Sequence, residues 1–148
     1  MIKYIFILLI VFLLPVTTGC TDTNLTHDIP LVPRPAHLVP GSGNYLFSDK
    51  TVFVVENEEQ AAVAASLISR FTNAAGFTPK LVMGATEKGD VRFVTDASLK
   101  SEAYSLEVSP EEIIVKASGD KGFFYALQTI RQLLPASIER ESLSDKKE

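Results

Sequence analysis

Gly122-Phe123-Phe124-Tyr125-Ala126-Leu127-Gln128-Thr129-Ile130-Arg131-Gln132-Leu133-Leu134-Pro135 is the stretch on which the fold turns. Phe123, Leu127, Ile130 and Leu134 recur at helical spacing on one face, and Pro135 stops the run because its ring clashes with the preceding turn. Phe124 and Tyr125 lie off that stripe, so the helix is apolar on more than one side. A helix covering one sheet needs a single apolar stripe; one held between a sheet and a neighbouring domain needs two. Arg131 and Gln132 interrupt the apolar pattern. The plain reading is a solvated surface, since Arg lays its stem on apolar atoms and keeps its head wet. The functional reading has Arg131 offering a bidentate fork to a neighbour's carboxylate or carbonyl. Phe124, Tyr125, Arg131 and Gln132 are thus the candidate interdomain docking residues.

Working outward, Ser118-Gly119-Asp120 opens this helix, and Ile113-Ile114-Val115-Lys116-Ala117 precedes it as a strand. Tyr104, Leu106 and Val108 alternate with Ser105 and Glu107, a strand with one wet face. Pro110-Glu111-Glu112 joins the two as a hairpin. Residues 91–95 and 79–83 read as further strands, separated by a loop at 84–90. Upstream lies a second helix: Asn57 is its cap, Gln60 completes a capping-box pattern, and Val63, Leu67 and Phe71 recur every four residues with Ala64 and Ile68 beside them. Gly76 stands where a left-handed residue ends such a helix. Thr51-Val52-Phe53-Val54-Val55 is apolar on both faces and belongs inside the sheet. Tyr45-Leu46-Phe47 reads as a further short strand. Pro30, Pro33, Pro35 and Pro40 impose an extended lead-in before it. Gly41-Ser42-Gly43 is a turn and no phosphate loop, because no strand precedes it and no helix follows.

The two ends have a different character. Of residues 139–148, seven are charged and only Leu143 is apolar, so the fold is expected to end near Ile138 with a charged, disordered tail at 139–148. At the other end, Lys3 precedes an apolar run at 5–14, then Pro15 and Thr17-Thr18-Gly19-Cys20. Ten residues make about 15 Å of helix, half of the ~30 Å hydrocarbon slab, which reads as a signal-peptide core rather than a membrane span. The single cysteine, Cys20, stands where lipoproteins are cleaved and acylated. The expectation is a lipoprotein leader at 1–19, lipid attachment at Cys20, a polar tether at 20–29 and a location in the bacterial cell envelope, with the membrane as a partner.

The quoted helix, together with Val32-Pro33-Arg34-Pro35 and Glu102-Ala103-Tyr104-Ser105-Leu106-Glu107-Val108, resembles the N-terminal, non-catalytic domain of bacterial β-N-acetylhexosaminidases of glycoside hydrolase family 20. The helix is the specific part, and the likeness covers roughly residues 30–138. It implies an α+β fold, an antiparallel or mixed β-sheet with two main helices packed on one face, zincin-like in shape but without metal. It also implies a catalytic barrel as partner. In the family that barrel carries an adjacent Asp-Glu pair, whose Glu is the general acid/base and whose Asp orients the substrate's acetamido group. This sequence contains no Asp-Glu dipeptide and stops where the barrel would begin, so no family catalytic residue transfers. The expectation is an accessory domain shortened before its barrel and inactive alone. The alternative is a free-standing envelope lipoprotein that binds or scaffolds glycan or protein.

Composition narrows the remaining chemistry. The 148 residues carry Lys+Arg 14 against Asp+Glu 18, a net charge of −4, with no basic footprint for nucleic acid. One Cys and two His leave no thiolate zinc cluster, and no cofactor is expected. Glu111-Glu112 is the best paired-carboxylate lookalike, but neighbouring side chains in a turn diverge and stay solvated. Asp96 and Glu102 flank a loop, and His27 and His37 lie in the tether and lead-in with no nucleophile beside them.

Overall fold

The computed structural model describes residues 29–84 and 89–141. The leader, Cys20 and nearly all of the tether lie outside the described residues, as do tail residues 142–148.

Strand β1 (Val52–Val55) is the apolar run expected at the sheet interior, and it is flanked on both sides. The chain leaves it through Asn57 into helix α1 (Glu58–Ala75), whose first turn is capped by Asn57 Oδ1 accepting from Gln60 N–H at 2.9 Å. Gln60 answers one residue further back than a capping box does: its Oε1 accepts from Glu56 N–H at 2.7 Å. Gly76 ends the helix at φ 78°, its N–H donating to the Phe71 carbonyl. The chain then returns as β2 (Lys80–Met83), parallel to β1.

From β2 it crosses to the far side of β1 and forms β3 (Val91–Thr95), also parallel to β1. The crossing passes over Val54: a Cβ at Gly89 would overlap the Val54 Cγ2 methyl, so only glycine allows so close a passage. β4 (Tyr104–Val108) and β5 (Ile113–Ala117) form the expected hairpin, with β5 laid parallel against β3. The order is β2-β1-β3-β5-β4. Antiparallel pairing is confined to β4 and β5; the sheet is mixed and mostly parallel, because α1 returns the chain to the same end before β2 begins.

Helix α2 (Asp120–Leu133) follows β5, and a 3-10 turn, Ala136–Glu139, closes the fold. Both helices lie on one face of the sheet, each running back along the strand it follows. Their N-termini therefore share the end of the sheet where β1, β3 and β5 finish. The core is Phe53, Val55, Val91, Phe93, Ile113 and Val115 from the strands, packed against Leu67 and Phe71 of α1 and Phe123, Leu127 and Ile130 of α2. At about 25 cal/mol per Å² of apolar surface, this layer supplies the main driving force for folding.

The strand expected at Tyr45-Leu46-Phe47 does not form. Both edges of β1 are already occupied, so this segment is held by side chains instead. The Tyr45 hydroxyl lies 3.3 Å from Thr51 Oγ1, and the Phe47 ring sits 4.6 Å from that of Phe71, while Leu46 is left exposed. Period-2 alternation in so short a run reflects two partly buried rings on either side of an exposed leucine, not a ladder.

Candidate docking face

Gly122 seats the first turn of α2. A Cβ there would lie 2.5 Å from the Ala103 carbonyl oxygen and 2.8 Å from Ala117 Cβ, so the helix backbone lies directly on β5 and the loop before β4. Phe123 then enters the core and stacks on Phe93 with ring centroids 5.3 Å apart. At 100° per residue, the next two positions rotate out of the sheet contact. Phe124 is 49% and Tyr125 43% exposed, with rings edge to face at 5.8 Å. Together with Val63 of α1 they line an open groove of about 330 Å³, whose remaining walls are Glu102, Asp120 and Lys121. Lys121 Nζ reaches Glu102 at 3.6 Å, but both side chains are mostly in water, so this pair contributes little.

The other two candidate residues are engaged within the chain. Arg131 turns its fork on Glu139: Nε donates to Oε1 at 3.0 Å and Nη2 to Oε2 at 2.7 Å, while Nη1 donates to Gln128 Oε1. Arg70 of α1 donates to the same Glu139 oxygen at 3.1 Å. The hydrogen bond from Arg131, then its charge and that of Arg70, hold the Glu139 carboxyl below the ordinary glutamate range. Gln132 makes a reciprocal pair with a backbone 100 residues away: Val32 N–H donates to its Oε1 at 2.8 Å and its Nε2 donates to the Val32 carbonyl at 3.0 Å. The expectation that Arg131 presents its fork to a neighbour is therefore corrected, because an intrachain carboxylate occupies it. What the helix leaves open is the pair of rings.

Glu139 went unrecognised in the sequence, being grouped with a tail of like composition. Tyr104 is a second such residue: its hydroxyl lies 2.6 Å from Thr129 Oγ1, and Thr129 donates on to the Tyr125 carbonyl at 3.3 Å, tying β4 to α2. In both cases the partner lies in another element.

Of the carboxylates with a catalytic look, those of Glu112 and Asp96 have structural partners. Glu112 Oε2 accepts from Arg92 Nε and Nη2, each at 3.1 Å. Glu111 and Glu112 donate their N–H groups to Ser109 Oγ within the hairpin turn. Asp96 accepts from the hydroxyl and the N–H of Ser98, which holds its carboxyl below the usual range. His37 is exposed, and His27 lies outside the described residues. Among the described residues no group of three or more His, Cys, Asp or Glu is placed to hold a metal ion, and no helix is long and apolar enough to cross a membrane.

The family described as "Glycosyl hydrolase family 20, domain 2" matches residues 28–145. A curated Beta-hexosaminidase from Porphyromonas gingivalis is 28% identical over 114 residues, covering 75% of this chain and 15% of that protein. Among solved structures, a mutant Streptomyces plicatus beta-hexosaminidase in complex with product aligns with a TM-score of 0.66 at 28% identity, covering 73% of this chain and 22% of that one. A GH20 exo beta-N-acetylglucosaminidase from Vibrio harveyi in complex with N-acetylglucosamine gives 0.62 at 28% identity, over 75% of this chain and 17% of that one. The chain thus spans between 15% and 22% of the length of these relatives.

Proposed function

Because the chain belongs to the glycosyl hydrolase family 20 domain 2 family, we propose that it serves as the accessory domain of a β-hexosaminidase, docking through its helical layer onto a catalytic barrel. Domain 2 of this family normally accompanies such a barrel. Glycoside hydrolysis, with terminal N-acetylhexosamine as the substrate class, is assigned to that partner and not to this unit. We further propose export to the cell envelope and lipid attachment at Cys20, the leader and the lone thiol being what favours them.

The observation that carries the docking reading is the pair of half-exposed rings, Phe124 and Tyr125, on the flank of α2 turned away from the sheet. Covering roughly 100 Å² of each at ~25 cal/mol per Å² is worth about 2.5 kcal/mol per ring, enough to make this face a docking anchor. In water the same area remains an adhesive patch. The chain is therefore expected to bind a hydrophobic fluorescent dye and to self-associate as concentration rises. Replacing both rings (Phe124→Ser with Tyr125→Ser) should abolish both behaviours while the melting temperature holds. A strictly monomeric parent that binds no dye would falsify the proposal.

A further inference from the structure

Arg131 and Gln132 are consecutive, yet each holds a different end of the folded unit. Gln132 grips the incoming chain at Val32 through both faces of its amide, the way a strand residue pairs, and Leu31 beside it is buried. Arg131 grips the outgoing chain at Glu139 through two parallel N–H bonds, just after Ile138 has plugged into the core. Arg70 adds a third donor to that carboxylate, so the exit is fastened to α1 as well as α2.

We infer that the Arg131-Gln132 dipeptide is a buckle that fixes where the chain enters and leaves, so both connections depart from the C-terminal end of α2. With the two residues one Cα step apart and each reaching its partner by one side chain, the entering and leaving backbones lie within about 20 Å of each other. The unit then sits to one side of both connections instead of between them, and any segment joined at either end starts from the same corner. This rests on the chain's own hydrogen bonds and holds whether or not the docking face meets a barrel.

The test uses the full chain with Cys20→Ser, so that spin labels attach only to introduced thiols. Exposed positions Arg34, Asn73 and Glu141, each changed to Cys in pairs, report the entry against α1 and the exit against α1. Gln132→Ala is expected to widen the distance distribution between positions 34 and 73 roughly twofold and to leave that between 73 and 141 unchanged. Glu139→Gln should do the reverse. Should that variant fail to fold, Arg131→Lys, which keeps the charge and loses the fork, is read in the same way. Selective widening at the matching end supports the buckle. No widening, or widening at both ends together with a lower melting temperature, overturns it.

Discussion

Gly122 has no side chain because there is no room for one, and it can be tested directly. Gly122→Ala would gain up to about 1 kcal/mol of helix propensity but places a methyl group against the Ala103 carbonyl, a backbone atom that cannot swing away. Overpacking costs about 1–3 kcal/mol, and against a backbone oxygen the upper part of that range applies, so a net loss of about 1–2 kcal/mol is expected, read as a lower urea midpoint at unchanged slope. A variant as stable as its parent would show that α2 is not seated on β5 as described. Residues of this kind divide cleanly by legibility. Asn57 and Gly76 announce themselves because a cap acts on backbone groups within a few positions. Glu139 does not, because its meaning depends on Arg131 and on Arg70, which is 69 positions away. Arg140 and Glu141 beside it are charged too, and composition cannot separate it from them.

The contact between β4 and α2 shows how elements are joined. Thr129 donates its hydroxyl hydrogen bond to the Tyr125 carbonyl, which leaves the Tyr104 hydroxyl as donor in the 2.6 Å bond between them. Tyr104→Phe is expected to cost about 1 kcal/mol, the net value of one such bond, and Thr129→Val a similar amount. Combining them should cost little more than either alone, since each removes the same interaction. Full additivity in a chemical-denaturation cycle would mean the hydroxyls act independently. Helix boundaries and hairpin were readable because the apolar period changes from two to near four at Asn57 and again at Gly119. Pairing order was not. Nothing in the residues at 91–95 announces that this strand passes over β1 to its far side; the one local sign is Gly89, glycine where Val54 leaves no space. Tyr45-Leu46-Phe47 misled for the related reason that alternation reports burial on one side and says nothing of whether an edge is free.

Across the whole molecule, the ion-pair network around Glu139 joins α1, α2 and the closing turn, and its charge state sets an acid limit. The folded carboxyl sits below its ordinary value of 4.5, so its contribution to stability is complete above about that pH. As the pH falls below it, through the lowered folded value, the contribution disappears. The pairs are partly exposed and screened, so the effect stays below about 1 kcal/mol. The stability difference between the parent and Glu139→Gln should therefore be constant at neutral pH and shrink in acid, followed by urea midpoints across the carboxylate range. A difference that persists undiminished in acid would place its origin elsewhere. The exposure of Phe124 and Tyr125 could be anticipated at this scale because they break a pattern, whereas the engagement of Arg131 and Gln132 within the chain could not, since a polar residue on a helix looks the same whichever molecule it grips.

Both connections of this domain leave from one corner of α2, and that has a genetic consequence. A module with its loose ends side by side can be spliced into a surface loop of a host protein, as well as appended to a terminus, without prying the host apart. Its position in a longer polypeptide can then drift by insertion, fusion or permutation while the aromatic flank it presents stays the same.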